Sequence, residues 1–302
     1  MTVRTYATDE SFRFALEDRV KKSARAQGHL DPTRQRQLLL ADRFLARVEK
    51  ELGSIVVAKG GVALKLRLPE ARATQDLDIL VSGHSEGLLD RLQLAGRLDL
   101  TDRLRFDIST EPEDLRTIEG DGVLYEGYRF RVTAVLAGRP YGDRFGLDVV
   151  FGAPPVGTVD ELDGPDLLAF AGIPPRRHRL YPRELHVAEK LHAYTMPRPR
   201  PNGRVKDLPD MGLLARTGSF RMGALREAMD RTFTSRGTHP VPAALPIPSE
   251  HWAKPYARLA RINRLPWATL EQAHAAASAF LNPALLATSS PNEWSSSTLD
   301  WK

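Results

Sequence analysis

The sequence predicts an α+β protein: a mixed-sheet domain over residues 1–160, opened by helices, followed by a mainly helical domain over 161–302. Three observations carry this reading. Short alternating apolar runs cluster between Ile55 and Phe151, a Pro/Gly/Asp stretch punctuates the chain from Gly152 to Gly164, and beyond it strand patterns largely give way to helical spacing. The 302 residues suit two ordinary domains or one large one, and 42% hydrophobic content is enough to build a core.

Asp9 reads as the N-cap of a first helix that carries Phe12, Leu16 and Val20 on one side and ends near Gly28. Asp31-Pro32 starts a second, with Asp as cap and Pro at the first position. Its stripe of Leu38, Leu45, Val48 and Leu52 recurs at helical spacing, and Gly53 closes it. An apolar run, Ile55-Val56-Val57, then breaks at Lys59-Gly60-Gly61. Val62, Leu64, Leu66 and Leu68 alternate like a strand, whereas the double glycine before them suits a strand–Gly–Gly–helix donor cradle, which favours a helix while the pattern leaves a strand open. From Thr74 to Val81 the pattern is a strand, with Leu77 and Ile79 on one face and Asp76 and Asp78 together on the other.

Glu86 to Arg97 reads as a helix, and runs over 104–108, 115–118, 128–135 and 145–151 read as strands of a mixed or antiparallel sheet. Asp148 is a lone carboxylate in the last of these, either a solvent-facing edge residue or a ligand beside Asp76 and Asp78. In the second half, Tyr181-Pro182-Arg183-Glu184 starts a helix with the stripe Leu185, Ala188, Leu191 and Thr195. Met196-Pro197 ends it before a basic, proline-rich loop over 197–203 containing Arg198 and Arg200, and a further helix runs from about Lys206 to Thr217. Trp252, Tyr256, Leu259 and Ile262 mark another helix, and Thr269-Leu270-Glu271-Gln272 is a capping box before an alanine-rich one. The tail from Thr288 is Ser-rich, with Trp294 and Trp301 as its docking residues. No fixed-period repeat is present.

The chain has no Cys, which excludes disulfides, thiolate zinc sites and a cysteine nucleophile. Residues 1–10 show no signal pattern, and no apolar run approaches the ~20 residues that span a bilayer, so a soluble cytoplasmic protein is expected. A net charge of +5 is compatible with a polyanionic partner and equally with ordinary solubility. The G-x-x-x-x-G-K-[ST], H-E-x-x-H and G-x-S-x-G templates are all absent. What chemistry remains starts at Asp76 and Asp78. Two carboxylates side by side on a strand repel, and a hard divalent cation such as Mg²⁺ is the natural occupant between them, as in enzymes that clamp a triphosphate with metal. On a helix, Asp207 and Asp210 lie at i and i+3 and face the same way, as site residues or as an ordinary surface pair, and Lys190 on its own helix either points into a cleft or snorkels into solvent.

Together these motifs resemble the AbiEii/AbiGii toxin family of nucleotidyltransferases, which includes the mycobacterial MenT toxins. The resemblance rests on Gly60-Gly61, Arg72-Ala73-Thr74-Gln75-Asp76-Leu77-Asp78 and Asp148-Val149-Val150-Phe151-Gly152, then on Tyr181-Pro182-Arg183-Glu184, Ala188-Glu189-Lys190-Leu191-His192-Ala193 and Arg204-Val205-Lys206-Asp207-Leu208-Pro209-Asp210. It spans about residues 50 to 215, and its one departure is Pro209, where the family usually has an aromatic or apolar residue. It implies a nucleotidyltransferase-like sheet domain whose helical partner completes the active-site cleft. It further implies Mg²⁺ on Asp76 and Asp78, with Asp148 as third ligand, and phosphate contacts from Gly60, Gly61 and Thr74. Lys190 would neutralise the triphosphate, Asp210 would orient the acceptor, and Lys206 and Asp207 would support the same cleft. Lys59 and Arg72 flank the signature, within reach of phosphate or simply solvated.

The implied reaction moves a nucleoside monophosphate from an NTP to an RNA acceptor, foremost the 3′ end of tRNA, releasing pyrophosphate and blocking translation. The alternatives are transfer to a small molecule or a protein hydroxyl, or a nucleotide-binding interaction protein without activity. Arg176-Arg177-His178-Arg179, with Arg198, Arg200 and Arg204, are the candidate RNA contacts. A cognate, AbiEi-like antitoxin is the implied protein partner.

Overall fold

A computed structural model describes residues 5–26, 31–83, 86–110, 118–120, 123–125, 127–198, 203–286 and 292–302. In chain order the elements are α1 (Asp9–Ala26), α2 (Pro32–Leu52), β1 (Val56–Lys59), α3 (Gly60–Arg67), β2 (Leu77–Ser82), α4 (Leu88–Arg97) and β3 (Arg105–Ser109). A two-stranded pair, β4 (Ile118–Gly120) and β5 (Val123–Tyr125), is followed by β6 (Gly127–Leu136), β7 (Arg139–Pro140), β8 (Phe145–Gly152), β9 (Asp160–Asp163) and β10 (Arg177–Leu180). The remainder is α5 (Arg183–Thr195), α6 (Asp207–Leu214), β11 (Phe220–Arg221), α7 (Met222–Arg236), α8 (Ala253–Asn263), α9 (Leu270–Leu285), β12 (Glu293–Ser295) and β13 (Asp300–Trp301). The predicted strand over 115–118 lies, apart from Ile118, outside the described residues.

The main sheet is mixed, in the order β3-β6-β8-β2-β1-β10-β9 with β7 paired to β6. β2 runs parallel to β8 and β1 parallel to β10, and the other pairs are antiparallel. Period-2 geometry sorts its side chains. Val56, Ala58, Leu77, Ile79, Leu147 and Val149 face a core built with α1, α2 and α4. Val57 and Leu80 face a second core built with α5 to α9. The sheet is therefore sandwiched between two helical layers, and Asp78, at odd spacing from Leu77 and Ile79, must face the second.

Some local expectations change and others hold. β9 and β10 arise where no strand pattern stands out, and they carry the sheet past residue 160 to Leu180. α1 is capped by Thr8 rather than Asp9: Ser11 N donates to Thr8 Oγ1 (3.1 Å) and Thr8 N to Ser11 Oγ (3.3 Å). Val62 to Arg67 is helix, because Val62, Ala63 and Leu64 are all buried on both sides of the strand alternation. The Asp31 cap and the Thr269–Gln272 capping box form as expected. The tail docks through its tryptophans. Trp294 Nε1 donates to Ala215 O (2.7 Å), Trp301 Nε1 to Phe280 O (2.9 Å), and β11, β12 and β13 form a small sheet. Among the described residues, no helix is long and apolar enough to cross a membrane.

Candidate active site

Register across the sheet assembles the first wall of a cleft of about 370 Å³. Lys59 on β1 pairs with Asp78 on β2, Asp78 with Asp148 on β8, and Asp148 with Arg129 on β6. Neighbouring strands stand ~4.8 Å apart, so these four side chains form one transverse row, positive at both ends and negative in the middle. The ends are tied off. Arg129 donates from Nε and Nη2 to the two Asp148 oxygens (2.7 and 2.6 Å). Lys59 Nζ donates to Glu189 Oε1 (3.0 Å) and stands 4.2 Å over the Tyr181 ring, whose hydroxyl donates to the same oxygen (2.9 Å).

Three glycines make room for site side chains, two of them for the acidic residues. Gly60 has φ +58°, a left-handed conformation that L side chains rarely adopt, and a Cβ there would collide with Asp78 Oδ2. At Gly61 a Cβ would meet the Thr74 side chain at 2.7 Å, and at Gly146 it would meet Asp76 Oδ1 at 2.7 Å. Gly146 N instead donates to Asp76 Oδ1 (3.1 Å), which holds that carboxylate just ahead of β2. Gly60 and Gly61 begin α3, whose first N–H groups have no capping side chain and line the cleft. The Thr74 hydroxyl donates to Asp76 O (3.3 Å), so its proton is already engaged within the loop.

The facing wall is helical. Lys190 Nζ, on α5, donates to Asp207 Oδ1 (2.8 Å) and stands 3.2 Å from Asp210 Oδ2. Arg72, in the loop before β2, clamps both Asp210 oxygens through Nε (2.8 Å) and Nη2 (2.7 Å), and Arg204 Nε bonds Asp207 Oδ2. Burial alone would raise the Asp210 carboxyl, but Arg72 and Lys190 outweigh it and hold the group well below the ordinary carboxylate range. Burial likewise opposes the Arg72 charge, and Asp210 more than restores it.

The cleft thus brings together Lys59, Gly60, Gly61, Thr74, Asp76, Asp78, Asp148, Lys190, Lys206 and Asp207. Asp210 does not line it. Fully buried beneath Lys190 and Arg72, it can act on an acceptor only through them. Arg72 is not solvated but nine-tenths hidden and paired. Asp148, in register beside Asp78, spends both oxygens on Arg129. Among the described residues no group of three or more His, Asp or Glu is arranged to hold a metal. Asp76 and Asp78 remain as hard oxygen donors, which fits Mg²⁺, an ion that takes one or two carboxylates and fills its shell with water and phosphate.

The arginine-rich run lies elsewhere. β10 runs parallel to β1 and reaches Leu180 beside Ala58, so Arg177 starts at the sheet end remote from Asp78. His178 is buried between Asp42 (2.8 Å) and Glu49 (2.8 Å), and Arg179 bonds Ser54 O. Arg200 lies outside the described residues. Sequence reasoning passed over Glu189, Arg129, Gly146 and His186, the last also lining the cleft. Glu189 adjoins Lys190 in its motif, but nothing local marks Arg129 as a partner of Asp148.

The model of the family described as nucleotidyl transferase AbiEii toxin, type IV toxin–antitoxin system, matches residues 43–278. No curated protein matches the chain. Among solved structures, the chain resembles the MenT4 nucleotidyltransferase toxin of Mycobacterium tuberculosis (18% identity, TM-score 0.54, 90% of this chain and 99% of that one). It also matches the JHP933 protein of Helicobacter pylori (15% identity, TM-score 0.46, 82% and 93%). At such identities the first likeness speaks for the fold, and the second carries no further weight.

Proposed function

The chain belongs to the AbiEii nucleotidyltransferase toxin family, and on that premise we propose that it transfers a nucleoside monophosphate from an NTP to RNA in the cytoplasm. The foremost acceptor is the 3′ end of tRNA, and such capping would block translation. One observation carries the reading: Asp78 sits against Gly60 at the start of α3, Asp76 lines the same cleft, and Lys190 stands on the wall opposite.

In this mechanism the N–H groups of Gly60 and Gly61 bind the phosphates at the start of α3. Lys190, Lys206 and Arg204 neutralise charge that builds on the departing pyrophosphate. Asp76 and Asp78 would hold Mg²⁺, which when bound would act as a Lewis acid that stabilises charge on the phosphoryl oxygens. Asp210 and Asp207 position Lys190, Arg72 and Arg204 by pairing with them. The acceptor hydroxyl attacks the α-phosphorus in line and the bond to the β-phosphate breaks. Membership of a type IV toxin–antitoxin family supports a cognate antitoxin, AbiEi-like in our reading, as partner.

Incubation with each labelled NTP, Mg²⁺ and total tRNA, beside an Asp76→Ala variant, tests this. We expect one NTP to label RNA and the variant not to. Folded protein that labels no RNA overturns the acceptor, and labelling that survives Asp76→Ala overturns the metal site. Labelled protein or small molecule in place of RNA would point to the alternative acceptors.

A further inference from the structure

The cleft does not end at Asp76. A second cavity of about 290 Å³ opens beyond the 69–76 loop and shares only Thr74 and Asp76 with the first. Leu38, Val62 and Ala71 give it apolar walls, and Arg34 and Arg264 border them. Arg34 is fixed there, because its Nη1 donates to Ile262 O (3.0 Å) and to Asn263 Oδ1 (3.1 Å). Asn263 Oδ1 also accepts from Ala73 N (3.2 Å), which pins the end of α8 to the loop that carries Thr74 and Asp76. A third cavity of about 530 Å³ shares Gln35, Leu38, Lys65 and Pro69 with it and reaches Arg19 and Lys22 on α1, with Asp163 and Asp166 also at that end.

In-line displacement sets directions. Pyrophosphate leaves toward Lys190 and Lys206, so the attacking hydroxyl approaches from the opposite side of the α-phosphate. The second cavity adjoins Asp76 and contains none of the Lys190-side groups. Its volume lies at the bottom of the roughly 300–1,000 Å³ typical of ligand sites, enough for one planar base and too little for a triphosphate besides. Apolar walls with a fixed guanidinium suit a stacked, unpaired base, and cations along the exit suit its backbone.

Resting on the reading of the function as RNA modification, we infer that this cavity is the acceptor subsite. The terminal base of a single-stranded RNA 3′ end seats against Leu38, Val62 and Ala71 between Arg34 and Arg264, and the strand leaves along α2 toward Arg19 and Lys22. The RNA path then avoids the arginine-rich run of β10.

Leu38 is half-buried and belongs to neither apolar core, so Leu38→Trp fills the cavity without opening a void. The exposed Arg264, changed to Glu, is a second variant at a position outside both apolar cores. The probe is a fluorescein-labelled single-stranded oligoribonucleotide of twelve bases with a free 3′ hydroxyl, read by anisotropy beside NTP affinity measured by calorimetry. We expect Leu38→Trp to weaken oligonucleotide binding at least tenfold and leave NTP affinity within twofold, and Arg264→Glu to weaken it severalfold with a shallower salt dependence. Equal loss of NTP affinity would assign the cavity to the nucleotide's own base and overturn the inference. So would wild-type binding by both folded variants, or no binding by the wild type. Labelling of RNA by variants that bind normally would sink the subsite alone, whereas a wild type that labels only non-RNA acceptors would sink the functional reading.

Discussion

Asp102 and Asp210 are both fully buried, and each is held by two cations. Asp102 takes Arg43 (2.6 Å) and Arg47, together with the N–H of Leu104 (3.1 Å). Its arginines turn inward: Arg47 also donates to the carbonyls of Arg43, Leu98 and Leu104. That network staples α2 to the turn after α4. Asp210 takes Arg72 and Lys190, and both of those line the cleft. Burial and pairing are the same in the two places. What separates a staple from part of a catalytic site is whether the partner cations also face a cavity.

The largest expected effect tests that contrast directly. Asp102→Asn leaves two buried guanidinium groups short of a counter-ion and is expected to cost about 3–5 kcal/mol in urea unfolding, with turnover per folded molecule unchanged. Asp210→Asn should cost a similar amount and also lower turnover, because Lys190 and Arg72 lose their anchor. Equal turnover losses in the two variants would break the comparison. Lys190→Met should reduce labelling of acceptor by about 10²–10³-fold, while Asp207 and Asp210 keep Arg204 and Arg72 and the fold survives.

A third buried cluster sharpens the point through pH. His178 lies between Asp42 and Glu49; burial opposes its charge, but the two carboxylates outweigh that and raise it from 6.5 to about 9. Because the folded value is the higher one, its contribution is complete below about pH 6.5 and fades as pH rises through 9, worth about 3 kcal/mol in all. Unfolding free energy measured from pH 6 to 10 should show this fall, and His178→Gln should flatten it. The smallest effect belongs to Arg129, whose side chain is 41% exposed. Arg129→Ala should change stability by no more than about 1 kcal/mol, yet by releasing Asp148 it should lower the Mg²⁺ concentration that gives half-maximal transfer. An unchanged Mg²⁺ requirement would rule out Asp148 as a third ligand even when released.

Much of the cleft could be read from the chain because its key geometry is local. Asp76 and Asp78 share a face through the strand period, and the Gly60–Gly61 break marks a turn and a helix start within a few residues. The strands β9 and β10 were hidden for the opposite reason. Asp160-Glu161-Leu162-Asp163 and Arg177-His178-Arg179-Leu180 carry no apolar alternation, because their polar side chains are satisfied by α2, by α3 and by each other. A run of arginines looks alike whether it meets RNA or a neighbouring helix.

By itself the sequence determined which side chains lie on which face, since pleat and helix periods act over a few bonds. It also marked where helices begin, through caps that reach only three residues. Only the tertiary structure decided which charges are engaged. Arg72 meets Asp210 across 138 positions, Lys59 meets Glu189 across 130, and Ala73 meets Asn263 across 190. Coulomb energy depends on the final distance and the local dielectric, and neither exists until the two halves have closed on each other.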